Sequence, residues 1–369
     1  MERLAELLAA RKTLVCVGPG GVGKTTTSAA LALRAASSGR KTLVLTVDPA
    51  HRLANSLGLD RFENDEQEIP PERFRAAGIP VGAPLYAMML DTKRTFDGIV
   101  TRYAPVEARQ RILDSPFYRQ ASTRLSGSRE YMAMEKLYSL LQEGRYDLVI
   151  LDTPPTVHAL DFLDAPGRLE EFMSQGTGGI ASRGARTLGR LGLSFLMANT
   201  VILKGISKFL GADVFSDILG FLADLQTMAA GFRERAAAVK KFMRSPEIAF
   251  VVLTGPERGS ISEGLYIHER LVSEKMPFGA FIVNRVHRDL GGDPERAGDA
   301  LQLEPAAGAA LVTALTQGAE RYGALVARDR AEIARLDEKL GEPVHRVPEF
   351  TDDVCDLADL HRYATHLLS

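Results

Sequence analysis

Cysteine is nearly absent: the chain of 369 residues holds two, Cys16 and Cys355. So far apart, they form no CxxC pair, which excludes a zinc knuckle or a redox dithiol built from neighbouring positions. An excess of one charge is also missing. With 45 basic and 47 acidic residues the formal net charge is −2, which argues against a broad nucleic-acid-binding surface but leaves room for a local basic patch. No apolar stretch reaches the length of a membrane span, so no integral membrane segment is expected, and there are no internal repeats or low-complexity tracts. The opening MERLAELLAARK sets Glu2 and Glu6 among its apolar positions and offers neither a signal-peptide core nor a cleavage site. What remains is an ordinary balance, 45% hydrophobic and 25% charged, expected of a soluble, cytoplasmic protein with a large core.

Within that balance lies one complete GxxxxGKT stretch, Gly18-Pro19-Gly20-Gly21-Val22-Gly23-Lys24-Thr25. Its flanks have the required form. Thr13 to Val17 reads as a short β-branched buried strand, and Thr25 to Ser38 as an Ala/Leu-rich helix. In such a context the glycines let backbone N–H groups turn inward around phosphate oxygens, and the helix N-terminus adds partial positive charge. Lys24 can then reach the β- and γ-phosphates, and the Thr25 hydroxyl can serve Mg²⁺. The expected cofactors are ATP and Mg²⁺, with Gly18, Gly20, Gly21, Val22, Gly23, Lys24, Thr25 and Thr26 as binding residues.

Apolar runs alternate with helical patterns along the rest of the chain. Leu43 to Val47, Leu85 to Leu90, Leu148 to Leu151, Ala249 to Leu253 and Ala280 to Val283 read as buried strands. This is the signature of an α/β fold with a doubly wound, mostly parallel sheet, whose ligands bind beyond the carboxyl ends of the strands. Two carboxylates fall at such ends. Asp48, in Asp48-Pro49-Ala50-His51, is placed to orient a water for attack on the γ-phosphate, although Asp before Pro is equally a helix-start signal. Asp152, closing the apolar run Leu148 to Leu151 ahead of Thr153-Pro154-Pro155, has the form of a Walker B carboxylate that contacts Mg²⁺ through water. Lys24, Asp48 and Asp152 are thus the expected catalytic residues, and Thr25 and Asp152 the metal residues. His158 reads as packed, solvated or sensing the γ-phosphate, not as a base.

Together, the phosphate loop, Asp48-Pro49-Ala50-His51 and Asp152-Thr153-Pro154-Pro155-Thr156-Val157-His158 resemble the ArsA-type ATPases, the family of arsenite-pump subunits and of targeting factors for tail-anchored membrane proteins. The resemblance extends to Pro256-Glu257, Asn284 and Val347-Pro348, in the family's order. It implies a P-loop, SIMIBI-like fold, adenine recognition by Asn284 and a base-flanking role for Pro348. There are departures. Where family members commonly carry a lysine that reaches a dimer partner's phosphates, this chain has Pro19, and where they often have glycine it has Val157. The zinc-binding and metalloid-binding cysteines are missing, and a single phosphate loop occurs, so a composite site requires a dimer.

A helical region separates the Asp152 strand from Ala249. Arg183, Arg186 and Arg190 share a helical face, which is either solvated or in contact with an acidic partner or anionic lipid. Phe195 to Leu210 is dense in large apolar groups, and Phe215, Ile218, Leu219, Leu222, Leu225 and Met228 recur at helical spacing, as core or as a partner surface. A piece from Thr92 to about Glu143 is expected to join it, with no separate signal from Met132 and Met134. The organisation expected is one discontinuous ATPase domain over 1–369, with core 1–94, 145–165 and 246–369 and helical subdomain 95–144 and 166–245. Asp60 to Gly78 and His287 to Asp299 read as exposed loops, Ala319 to Leu340 as a long surface helix, and Asp356 to Leu368 as a last helix too acidic for membrane targeting. The resulting expectation is a Mg²⁺-dependent, dimeric ATPase switch engaging a protein client. The alternatives are a slow or non-hydrolysing scaffold paired with a lysine-bearing paralogue, and a ParA/MinD-like partitioning ATPase. Partners would be a second copy or that paralogue; no nucleic acid is expected.

Overall fold

The computed structural model describes residues 2–47, 52–59, 65–124, 128–154, 212–289 and 305–368. Its strands are β1 (Thr13–Val17), β2 (Thr42–Thr46), β3 (Gln67–Glu68), β4 (Leu85–Met89), β5 (Leu148–Asp152), β6 (Ile248–Thr254), β7 (Phe278–Val286) and β8 (His345–Pro348). They form one sheet in the order β3-β4-β2-β5-β1-β6-β7-β8, parallel throughout except for the short β3, which runs antiparallel to β4 at one edge. Every residue of β1, β2, β5 and β6 is buried. That is why these segments read as unbroken apolar runs instead of alternating ones: helices cover both faces.

Successive side chains of a strand point to opposite faces, and the core divides accordingly. Leu14 and Cys16 of β1, Val44 of β2, Ile150 of β5 and Val251 of β6 belong to one cluster, which takes in α1 (Glu2–Ala10), α2 (Lys24–Ser37), α3 (Arg52–Ser56) and α4 (Pro71–Ala76). Val15, Leu43, Leu45, Val149 and Leu151 belong to the other, with α5 (Thr92–Tyr103), α6 (Val106–Asp114), α7 (Pro116–Arg124), α8 (Ser128–Glu143), α9 (Ala212–Phe242), α10 (Arg258–Ser273) and α11 (Pro305–Leu340). The final helix, α12 (Leu357–Leu368), packs on the first face against α2. Helices α5 to α8 contact one another and α9. Phe221, Leu225 and Met228 of α9 are buried there, as are Met132 and Met134 of α8, so these positions act as core.

The strand expectations hold to within a few residues, with three differences. The segment from Asp60 to Gly78 is not simply an exposed loop: it carries β3 and α4, with Ile69 and Phe74 buried. Pro70-Pro71 marks the start of α4, Pro71 at its first turn, where a missing N–H costs nothing. Helix α11 begins at Pro305, well before Ala319, because residues 306–318 are almost all small or apolar and uncharged, which hides a surface helix from a charge-pattern reading. Strand β7 does not stop at Asn284 but runs on to Val286 through a register shift against β8, with Arg285 at φ 60. Arg183, Arg186, Arg190 and Phe195 to Leu210 lie outside the described residues. Among the described residues no helix is long and apolar enough to cross a membrane.

Candidate functional site

The phosphate loop leaves the carboxyl end of β1 between β5 and β6, at the middle of the sheet. Gly18 passes so close to β6 that a Cβ there would sit 2.1 Å from the Leu253 carbonyl oxygen. Gly23, at φ 90, caps α2, and a Cβ on it would lie 2.3 Å from Nδ2 of Asn284. Gly20 and Gly21 form the exposed lip, Val22 turns into the core, and Thr26 is half-buried in the first turn of α2. That turn contains no acidic residue, so nothing in the helix neutralises its positive end. Lys24 is buried and donates to two carbonyls of its own loop, Gly18 at 2.9 Å and Pro19 at 2.7 Å. Pro19 is itself buried.

Beside the loop stands the carboxylate of β5. Thr46 pairs with Asp152 in the β2–β5 ladder, and each ends its strand, which brings their side chains to one rim. Oδ2 of the fully buried Asp152 accepts from Thr25 Oγ1 at 2.7 Å and from Thr46 Oγ1 at 2.9 Å. The next residue, Thr153, donates its hydroxyl to the Cys16 carbonyl at 2.7 Å, pinning the strand end to β1. Burial pushes the Cys16 thiol up to about 12, so it acts as a small apolar side chain and not as a nucleophile. The residues present suit Mg²⁺. The Thr25 hydroxyl and the Asp152 carboxylate are hard oxygen donors already joined at 2.7 Å at the mouth of the loop, so they would hold Mg²⁺ there, Asp152 through a bound water. Magnesium typically takes one or two protein ligands and completes its shell with phosphate and water.

The opposite wall comes from β7 and β8. Asn284 is buried and donates Nδ2 to the Val22 carbonyl at 2.9 Å, so the residue expected to read the base also clasps the phosphate loop. Pro348 lies opposite Val286 in the β7–β8 ladder, and Glu349 N donates to the Val286 carbonyl at 3.0 Å. Phe350 stacks on Tyr363 of α12, whose hydroxyl meets Thr27 Oγ1 of α2 at 2.7 Å. The segment after Pro348 is thereby tied back to the helix that follows the loop. Of the sequence-predicted residues, Gly18 to Thr26, Asp152, Asn284 and Pro348 are all described around one rim of the sheet. Asp48 and His158 lie outside the described residues. Sequence reasoning did not find Thr46, Thr153, Thr27 or Tyr363. Threonines at strand ends were the one available signal, and the rest arise only when distant segments meet.

A central parallel sheet, a GxxxxGKT loop at its switch point and a Walker B carboxylate bonded to the loop threonine define a P-loop nucleotide-binding protein. Residues 11–294 match the anion-transporting ATPase family, the ArsA ATPases, and the chain belongs to that family. Among curated proteins it is 31% identical over 164 residues to the ATPase GET3 of Malassezia globosa, an alignment covering 44% of this chain and 45% of that one. Against the ATPase GET3B of Arabidopsis thaliana it is 28% identical over 296 residues, covering 75% and 64%. With the ATPase ASNA1 homolog of Babesia bovis the identity is 27% over 300 residues, covering 80% and 73%. In the first of these matches the chain spans about half the length of its relative.

Proposed function

We propose that the chain is a Mg²⁺-dependent ATP hydrolase of the ArsA type that works as a dimer and couples nucleotide turnover to engagement of a protein partner. The observation that carries this reading is the bond between Thr25 and Asp152 at the mouth of the phosphate loop. A threonine and a carboxylate from two elements, held within one ion's reach beside an unneutralised helix N-terminus, are what a metal–triphosphate needs. Thr25 and Asp152 hold Mg²⁺, which when bound neutralises charge on the phosphates. The loop amides take phosphate oxygens, and Lys24 exchanges the Gly18 and Pro19 carbonyls for the β- and γ-phosphates. Asp48, two residues beyond Thr46, orients the attacking water. With Nδ2 of Asn284 given to Val22, Oδ1 remains as an acceptor, which suits the N6 amine of adenine and not the O6 of guanine. Pro348 flanks the base.

The test is Lys24→Ala. Binding of MgATP is expected to weaken, and its hydrolysis rate to fall by at least about a hundredfold, the order lost when one electrostatic donor is removed from a transition state. A variant that hydrolyses MgATP like the parent sinks the assignment.

Pro19 favours a second reading in which the chain pairs with a lysine-bearing paralogue and turns over slowly alone. A proline supplies no cation to a partner's phosphates, and groups of that kind in trans are worth about 10³–10⁵ in rate. Brisk single-turnover hydrolysis by a homodimer removes it. The apolar stripe of α9 at Phe221, Leu225 and Met228 is occupied in packing. The partner is proposed to engage the helical subdomain 95–144 and 166–245 as a whole.

A further inference from the structure

An aspartate sits on the buried face of α11, where the neighbouring turns present Val326, Ile333 and Leu336. Asp329 is fully buried, and a carboxylate in such surroundings persists only with compensating bonds. Arg328 supplies two to Oδ1, from Nη2 at 2.9 Å and from Nε at 3.3 Å. The others come from a single residue just past β7: His287 donates its backbone N–H at 3.1 Å, and its Nδ1 lies 2.7 Å from the same oxygen, Oδ2. On the far side of the ring, Nε2 lies 3.6 Å from Oε2 of Glu349, the residue after Pro348.

Between Asn284 and His287 lies the irregular stretch of β7 with Arg285 at φ 60, a conformation that a non-glycine residue holds only where its surroundings fix both ends. One end is fixed by the bond from Asn284 to Val22, the other by the bonds from His287 to Asp329. We propose that Asp329 is a positioning residue for the base side of the nucleotide site. Through His287 it sets the bulge that presents Asn284, and the imidazolium form of the same ring, its Nε2 3.6 Å from Glu349, draws the Pro348 segment against the same strand. The phosphates are gripped by other groups, the loop amides and Lys24. Loss of Asp329 therefore weakens recognition of the base and leaves recognition of the triphosphate intact. This rests on the reading of the loop as an ATP site.

The experiment measures the affinities of Mg²⁺-bound ATP and UTP for the full chain and for Asp329→Ala. The parent is expected to prefer ATP. In the variant the ATP Kd rises about tenfold, the scale of one lost hydrogen bond to a charged group, and the UTP Kd stays within about twofold. Equal weakening of both nucleotides marks a merely structural role and overturns the proposal, as does an unchanged ATP Kd. A parent that does not distinguish ATP from UTP also overturns it, because no base recognition is then left to position. A parent that binds neither nucleotide refutes the ATP-site reading itself, a separate result seen before any variant is made. If Asp329→Ala does not fold, Glu349→Gln decides. Its side chain is half exposed, and its loss is expected to lower the ATP-over-UTP preference about two- to fivefold; an unchanged preference overturns the proposal.

Discussion

At Gly23 two demands meet: a left-handed backbone at φ 90 and clearance from an amide nitrogen that would lie 2.3 Å from any Cβ. Alanine answers the first at a cost of about 1–3 kcal/mol of strain and the second only by displacing Asn284. Gly23→Ala is thus expected to lower stability by about 1–3 kcal/mol, read as a shifted urea midpoint at unchanged slope, and to weaken ATP binding. Combining it with Asn284→Ala removes the collision but not the backbone strain, so the two substitutions should cost less together than the sum of each alone. Strict additivity would mean that the contact is not what makes Gly23 necessary.

In the second layer α8 and α9 are joined by a nearly buried ion pair. Arg235 of α9 donates Nε to both oxygens of Glu135 on α8, at 2.8 and 2.9 Å, and Nη2 to Ser139 at 2.8 Å, with its guanidinium over the Tyr138 ring at 4.3 Å. Both side chains are nearly buried. Removing one partner strands the other charge, so Glu135→Ala is expected to cost about 3–5 kcal/mol. An apolar pair, Glu135→Met with Arg235→Met, should recover most of it, because desolvation offsets much of what the pair contributes. A chemical-denaturation loss under about 1 kcal/mol for Glu135→Ala would show that α9 is held by its apolar contacts instead. Elements of this size were unevenly legible in the sequence. Strands β1, β2 and β5 announced themselves because burial on both faces leaves only apolar residues, and α2 because a glycine loop precedes it. Edge elements carried weaker signals: β3 has two residues, β8 has four and ends in proline, and the first turns of α11 lack charge. In the site, residues set by local spacing, Gly18 to Thr25 and Asp152, could be named in advance. Thr46, Tyr363 and Asp329 could not, since their roles exist only after β2 meets β5, α12 meets α2 and α11 meets β7.

For the whole molecule, Asp329 gives stability a dependence on acid. Burial alone would raise its pKa, but the bonds from His287 and Arg328 outweigh this and hold the carboxyl below its ordinary value. A depressed carboxylate contributes fully above its unfolded pKa of about 3.9 and loses that contribution as pH falls through the lower folded value. The stability gap between the parent and Asp329→Asn is therefore expected to close below about pH 4, as followed by urea midpoints across pH. A gap that widens in acid would mean that the carboxyl is not held ionised.

The strand order has a consequence for synthesis. Strand β1, which ends in the phosphate loop, is not paired with β2, its successor in the chain, but with β5 and β6, which begin at Leu148 and Ile248. At about 5–20 residues per second, a ribosome that has made β1 needs roughly seven to twenty-six seconds to reach its first neighbour. During that interval TLVCV has both edges open and no sheet to join. The strand that carries the phosphate loop, fully buried in the finished sheet, is the one that must wait longest with its edges unpaired, and that is where a nascent chain has reason to recruit a chaperone.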